Sequence, residues 1–391
     1  MSGNRVLCVL GTRPEAIKMA PLVRRLAQDE RFEERLLVTA QHRAMLDEVL
    51  EVFGLAPDHD LDLLKPGQSS NKLLARAVAG IDEVLELEQP DLVAVHGDTT
   101  TCLAGALAAF QREIPVAHVE AGLRTYDLSA PFPEEANRQL VGRLARLHLA
   151  PTESARRNLL EEGADPQQVH VTGNTVVDAL LSVHARVARL PARAFRRVLG
   201  QELVDRLDAH PGPMVLVTGH RRESQGEGLS TVCDTLAELA RAHPDWTLVW
   251  PVHQNPAVSR PVRERMRGIE NVALVPPADY RAFVWLMGAA RVIVTDSGGI
   301  QEEAPALGVP VLVTRGCTER PEAIESGVAR LVGTDARLLR DSLEELLGDR
   351  AAWERMAHAA HPFGQGDAAP RCVEHMAQLL ELGARTQSHA A

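Results

Sequence analysis

Short runs of β-branched and leucine residues alternate with helical patterns along almost the whole chain, and this alternation limits the fold more than any other feature. The first series is Arg5 to Leu10, Arg35 to Thr39, Leu92 to His96, Val116 to Val119, Leu147 to Ala150 and Val169 to Val171. The second is Met214 to Thr218, Thr247 to Pro251, Val272 to Val275, Arg291 to Thr295, Val309 to Val313 and Val328 to Val332. Strands separated by helices read as βαβ units, so each series predicts a parallel sheet with helices packed on it. With 391 residues the chain exceeds the size at which one core usually stops growing, and two α/β domains are expected. A helix predicted over Val176 to Leu190, followed by Pro191 and a polar stretch to Pro211-Gly212-Pro213, marks the passage between them. The expected division is 1–178 and 179–366. A last helix, Pro370 to Leu382 within 367–391, is expected to pack back on the first domain after the break at Pro362 to Gly366, with fraying beyond Arg385.

Composition narrows the function. Apolar residues make up 45% and charged residues 24%, with no run near the roughly eighteen apolar residues that a membrane span needs. The apolar stretch Val6 to Leu10 is too short for a signal-peptide core, so a cytoplasmic protein is expected. Five cysteines, an odd and scattered number without a C-x-x-C pair or a cluster with histidine, fit reduced thiols and no metal. A formal charge of -11 argues against general affinity for nucleic acid or anionic lipid. Any phosphate site must therefore be built locally.

In open parallel sheets ligands bind beyond the carboxyl ends of the strands, so the residues just after each strand carry the information. After the first strand comes Gly11-Thr12-Arg13-Pro14-Glu15-Ala16-Ile17-Lys18, a Gly turn with Pro14 in the first helical turn and two cations able to face an anion. Asp98 follows the strand ending at His96, and Glu120 follows the strand ending at Val119. Two carboxylates thus stand at one edge of one sheet. Glu134 and Glu135 open a helix after Pro133, where acids also complement the helix dipole. In the second series Gly219-His220-Arg221-Arg222 follows a strand. The most specific segment is Thr295-Asp296-Ser297-Gly298-Gly299-Ile300-Gln301-Glu302-Glu303, in which a strand runs into Ser-Gly-Gly at a helix start. Free amides, the helix dipole and glycines that admit close approach suit a diphosphate there, with Glu303 able to accept from ribose hydroxyls and Arg320 adding a cation. Absence of a G-x-G-x-x-G fingerprint and of a P-loop lysine argues against NAD and ATP.

Taken together, Gly11 to Lys18, Ala40-Gln41-His42-Arg43, His96 to Thr101, His118 to Arg124, Pro133 to Glu135, Gly219 to Glu223, Asp296 to Glu303 and Thr318 to Glu322 closely resemble the bacterial non-hydrolysing UDP-GlcNAc 2-epimerases. The resemblance runs from about residue 5 to about residue 380. It implies a glycosyltransferase-B-like fold of two Rossmann-like parallel-sheet domains around a deep cleft, in a homodimer. By motif it assigns Arg13, Lys18, His220, Phe283, Ser297, Gly298, Gly299, Glu303 and Arg320 to UDP, and Asp98, Glu120 and Glu134 to chemistry on the sugar, with His220 also among the catalytic group. Gln41, Arg43, Glu135, Arg221 and His253 correspond to a second-substrate regulatory site in some members, although Ala44 and Gly67 stand where some of those members carry polar or basic residues. The implied reaction interconverts UDP-GlcNAc and UDP-ManNAc by elimination of UDP to 2-acetamidoglucal and re-addition, and needs no cofactor. A UDP-sugar glycosyltransferase and a non-catalytic nucleotide-sugar sensor are the rival readings. The three acids in the first domain weigh against both.

Overall fold

The computed structural model describes residues 3–390 apart from 40–42, 66, 210–211 and 220–226, with side chains also excluded at 43–45 and 382–390. The chain divides into two compact units, 1–179 with 363–391, and 180–362.

The first unit holds seven strands, β1 Asn4–Leu10, β2 Phe32–Val38, β3 His59–Asp60, β4 Leu92–His96, β5 Val116–Val119, β6 Leu147–Ala150 and β7 Val169–Val171. They form one sheet in the order β3-β2-β1-β4-β5-β6-β7, with every pair parallel. The second unit repeats the plan with six, β8 Met214–Thr218, β9 Thr247–Pro251, β10 Val272–Val275, β11 Val292–Thr295, β12 Val311–Val313 and β13 Ala329–Leu331. Their order is β10-β9-β8-β11-β12-β13, again all parallel. In each sheet the order reverses once, between β1 and β4 and between β8 and β11.

The central strands are apolar because helices cover both faces: Val6 to Leu10 and Leu92 to Val95 are fully buried. Two departures from the sequence reading have local causes. Strand β2 begins at Phe32, three residues early, because Asn4 to Leu10 pair with Phe32 to Val38 through the charged residues Glu33 and Glu34 as well as the apolar ones. Strand β3 has only two residues, too short to leave a periodic signature, and it closes the edge by pairing with Leu37 and Val38.

Phe363 belongs with the first unit, which moves the return of the chain upstream of the expected residue 367. Its side chain is 2% exposed and its carbonyl accepts from Asn174 N at 2.7 Å. The contact is close because Gly173 has no side chain: at its φ of 86°, a Cβ would stand 3.2 Å from that carbonyl oxygen. The last helix, Ala368–Ala390, starts and ends beyond the expected limits, and its first turn is capped from within the same unit. Asp178 accepts from Ala369 N at 2.9 Å and Ala368 N at 3.2 Å.

Replacing Asp178 with alanine leaves two helix-start amides buried without that acceptor. We expect a loss of about 1–2 kcal/mol in unfolding free energy, read as a lower urea midpoint at unchanged slope. An unchanged midpoint would show that the cap contributes nothing.

Candidate functional site

In the first unit the turn after β1 runs directly into the helix Arg13–Ala27, whose N-cap is Thr12. Thr12 and Glu15 form a capping box, in which the Thr12 hydroxyl accepts from Glu15 N and the Glu15 carboxylate accepts from Thr12 N at 2.8 Å. The same carboxylate oxygen accepts from Gly11 N at 3.0 Å, and the other takes the Thr99 hydroxyl at 2.7 Å. Thr99 in turn caps the helix Thr100–Gln111 after β4 by accepting from Cys102 N at 3.0 Å. Beneath the turn the Thr39 and Thr101 hydroxyls pair at 2.7 Å, and a Cβ on Gly11 would collide with both. Burial pushes the Glu15 carboxyl up to about 7, against the hydrogen bonds from Thr99, Thr12 and Gly11 that favour its charge.

Asp98 and Glu120, read from the sequence as strand-end acids, stand at the neighbouring ends of β4 and β5. Glu120 has a φ of 61°, a left-handed backbone conformation that costs a residue with a side chain of order 1–3 kcal/mol and persists only where surrounding contacts hold it. Those contacts are Lys18 Nζ in an ion pair, Asn174 Nδ2 donating at 2.8 Å and His96 Nε2 at 3.5 Å. Lys18, expected to face a diphosphate, thus lies against an acid of the same unit. Asp98 is held through both its backbone and its side chain: Asn137 Nδ2 donates to its carbonyl at 2.8 Å and Arg138 to its carboxylate at 2.5 Å. Burial raises the Asp98 carboxyl, the Arg138 charge opposes that, and the charges of Glu120 and Glu134 add to it. Glu134, in the first turn of the helix Glu134–Leu144, is therefore electrostatically part of the same group.

Glu135 is fully buried and accepts from Thr125 N, Tyr126 N and Gln139 Nε2 at 3.0, 3.1 and 2.7 Å, with Arg138 at 3.4 Å. Burial alone would raise its carboxyl, but these donors outweigh it and hold Glu135 below the ordinary carboxylate range. Its contacts fasten the loop that follows Glu120. The flanking histidines are neutral near pH 7, since burial takes His96 down to about 4 and His118 to about 3. His118 donates from Nε2 to the Gly97 carbonyl at 2.7 Å, which fixes that tautomer because a carbonyl can only accept. Arg13 stands at the first position of its helix, half-buried, with Nε lacking a hydrogen-bond partner among the described residues.

In the second unit, β11 leads through the buried Asp296 to Ser297, the N-cap of the helix Gly298–Glu303. Ser297 makes no side-chain cap, its own amide being bound to the Thr295 hydroxyl at 2.9 Å. Thr318 donates to Gln301 at 2.6 Å, and Arg320 is ion-paired with the buried Glu302, so the loop after β12 is tied to this helix. Glu303 is the last residue of this short helix, but its carboxylate reaches back toward the start, with Oε1 3.3 Å from where a Gly299 Cβ would be. Phe283 is half-buried on the helix Tyr280–Ala289, and His253 is exposed just after β9, its Nδ1 accepting from Asn255 N at 3.1 Å. Gln41, His220 and Arg221 lie outside the described residues, as does the side chain of Arg43. Sequence reasoning did not single out Glu15, Arg138 or Asn174. The capping-box spacing Thr12 to Glu15 was readable, whereas no local pattern signals contacts made across the sheet.

Two doubly wound parallel sheets, one with acids at its switch edge and the other with a Ser-Gly-Gly helix start, define an α/β protein of glycosyltransferase-B-like class. The sequence model of the UDP-N-acetylglucosamine 2-epimerase family matches residues 24–377, and the chain belongs to that family. It is 54% identical over 370 residues to a UDP-N-acetylglucosamine 2-epimerase of Yersinia pestis, covering 95% of this chain and 97% of that one. The solved structure of the Neisseria meningitidis UDP-GlcNAc 2-epimerase bound to UDP-GlcNAc is 43% identical, with a TM-score of 0.86 over 96% of this chain and 100% of that one. A UDP co-structure of S. aureus MnaA is 39% identical, with a TM-score of 0.84 over 97% of each chain. Among the described residues no helix is long and apolar enough to cross a membrane.

The buried Glu15 carboxyl gives a pH-dependent test. Its folded value of about 7 lies above the ordinary 4.5, so the protonated form is the one that folding favours. Its contribution is then full below pH 4.5 and is lost as pH rises through 7, a change of about 3 kcal/mol. Glu15→Gln does not titrate, so its stability relative to the native protein should rise from pH 5 to pH 8 in urea unfolding. A pH-independent difference would contradict the burial of a titrating carboxyl.

Proposed function

We propose that this chain interconverts UDP-GlcNAc and UDP-ManNAc without net hydrolysis. The observation that carries the reading is the grouping of Asp98, Glu120 and Glu134 at one sheet edge, in a chain half identical to epimerases of that name. Carbon 2 of the sugar is not adjacent to a carbonyl, so its proton cannot simply be removed and returned. Elimination meets the difficulty: the carbon-2 proton goes to a base as the bond from carbon 1 to the diphosphate oxygen breaks, giving 2-acetamidoglucal and UDP. Re-addition of UDP with a proton delivered to the opposite face then gives the epimer.

Such a route needs two proton-transfer groups of different charge. The Lys18 ion pair and the Asn174 amide favour Glu120 as the ionised partner, while burial favours a proton on Asp98. Glu134 supports the pair electrostatically. Arg13, Lys18, His220, Phe283, Ser297, Gly298, Gly299, Glu303 and Arg320 are in this reading the UDP contacts, with cations and helix-start amides stabilising the departing diphosphate and His220 close to it. No metal or redox cofactor enters the chemistry. Residence with the cytoplasmic sugar-nucleotide pool and a homodimeric assembly complete the proposal, the latter checked by light scattering. A sigmoidal dependence of rate on UDP-GlcNAc would reveal a second-substrate site at Gln41, Arg43, Glu135, Arg221 and His253.

In deuterium oxide the product UDP-ManNAc should carry deuterium at carbon 2, and prolonged incubation should label UDP-GlcNAc as well. Product that keeps its original carbon-2 hydrogen would overturn the elimination route, and absence of UDP-ManNAc at millimolar substrate would overturn the activity. Asp98→Asn and Glu120→Gln change shape little, and each should lower turnover at least about 10²-fold while UDP binding survives. Near-native turnover in both variants would return these acids to a structural role. Gly298→Val should abolish UDP affinity in a folded protein by blocking approach to the helix start, and unchanged affinity would refute that placement.

A further inference from the structure

The contacts of Glu15 exceed what a helix cap requires. A capping box accounts for one of its oxygens, the one that accepts from Thr12 N, and the Gly11 amide shares that oxygen. It does not account for the other, which takes the hydroxyl of Thr99 from a different helix start at 2.7 Å. Thr99 has one proton, given to Glu15, while its oxygen accepts from Cys102 N. Its hydroxyl therefore cannot turn away without giving up one of the two bonds. The two turns so joined follow β1 and β4, adjacent strands at the point where the order of the sheet reverses. One carries Arg13 immediately after Thr12, and the other carries Asp98 immediately before Thr99. The bridge is 1% exposed at Glu15, so water does not compete for its hydrogen bonds.

We propose that Glu15 is a positioning residue that latches the turn carrying Arg13 to the turn carrying Asp98, so that cation and acid keep one spacing during turnover. This rests on the roles given above to Arg13 and Asp98. Glu15 itself touches no reacting atom. Its effect runs through Thr99, and a displacement of the order of 1 Å between the turns is enough to cost a large factor in rate.

Thr99→Val tests the latch because it keeps the volume, deletes the hydroxyl and leaves the Glu15 carboxylate in place. We expect turnover of UDP-GlcNAc to fall at least about 10-fold, and Thr99→Ser, which restores the hydroxyl, to recover most of it. Glu15→Gln can still accept from Gly11 and Thr12 and donate to Thr99, so it should stay within about 3-fold of the native rate, while Glu15→Ala should not. Amide exchange reads the same link without catalysis: Gly11 and Thr12 should exchange at least about 10-fold faster in Thr99→Val, although the substitution lies on the other turn. A folded Thr99→Val protein with native exchange at Gly11 and Thr12 overturns the latch. Faster exchange with native turnover makes Glu15 a cap and overturns the positioning role. If the unsubstituted protein fails to convert UDP-GlcNAc, the activity proposed above falls, and the exchange of Gly11 and Thr12 alone decides whether the turns are latched. Should Glu15→Ala not fold, the Thr99 pair carries the test.

Discussion

Reversal of strand order at the centre of each sheet is the constraint on which the polar architecture depends. Where β1 lies between β2 and β4, the connections on its two sides leave toward opposite faces, and the strand ends between them stay uncovered by helix. Polar groups collect there because backbone amides of the turns need acceptors and the neighbouring helix starts need caps. Each unit places a pair of threonine hydroxyls at this level, Thr39 with Thr101 at 2.7 Å and Thr218 with Thr295 at 2.6 Å. Such pairs satisfy short polar side chains between buried apolar strands and draw adjacent turns to a fixed separation.

Electrostatic cost follows from that crowding. Asp98, Glu120, Glu134 and Glu135 are gathered in one region of a unit, and charges of one sign in a partly buried setting are tolerated only when paired. Lys18 and Arg138 provide the pairing, Lys18 with Glu120 and Arg138 with both Asp98 and Glu135. The neutral histidines His96 and His118 add polarity without adding charge, because burial lowers the pH at which they take up a proton to about 4 and about 3. The result is a site with unequal carboxylates: Glu135 is satisfied by four donors and held ionised, whereas Asp98 keeps 26% of its side chain exposed and a raised affinity for its proton.

The strand pattern was legible in the sequence because fully buried parallel strands are apolar runs bounded by Gly, Pro and charged residues. All six expected strands of the second unit appear, with ends shifted by at most two residues where Pro310 and the short β13 limit pairing. The strand-mouth acids were legible for the same reason, since topology puts the residue after a strand at the sheet edge whatever its side chain does. Their partners were not. Lys18 lies a turn into its helix and reads equally well as an anion ligand or an acid's counter-ion. Only the fold decides that it meets Glu120, more than a hundred positions along the chain. Arg138 and Asn174 were invisible on similar grounds, and the left-handed backbone of Glu120 carries no local signal because glycine or asparagine would be the usual residue there.

The two units treat their helix starts differently. In the first unit the helices after β1 and β4 are capped by side chains: Thr12 takes Glu15 N, Thr99 takes Cys102 N, and Glu15 takes the amides of Gly11 and Thr12. Amides so engaged are not available to an anion, so any anion contact at this edge rests on side-chain cations, as proposed for Arg13 and Lys18. In the second unit Ser297 leaves the first turn of Gly298–Glu303 without a side-chain cap, and its glycines present no Cβ to hold a ligand away. A helix start left in that state costs stability of the order of 1 kcal/mol unless something accepts from its amides, and a diphosphate would do so with charge as well as geometry. The two units thus differ in how capping disposes of their helix-start amides: side chains occupy the acceptor positions after β1 and β4, whereas Ser297 supplies none at the start of Gly298–Glu303.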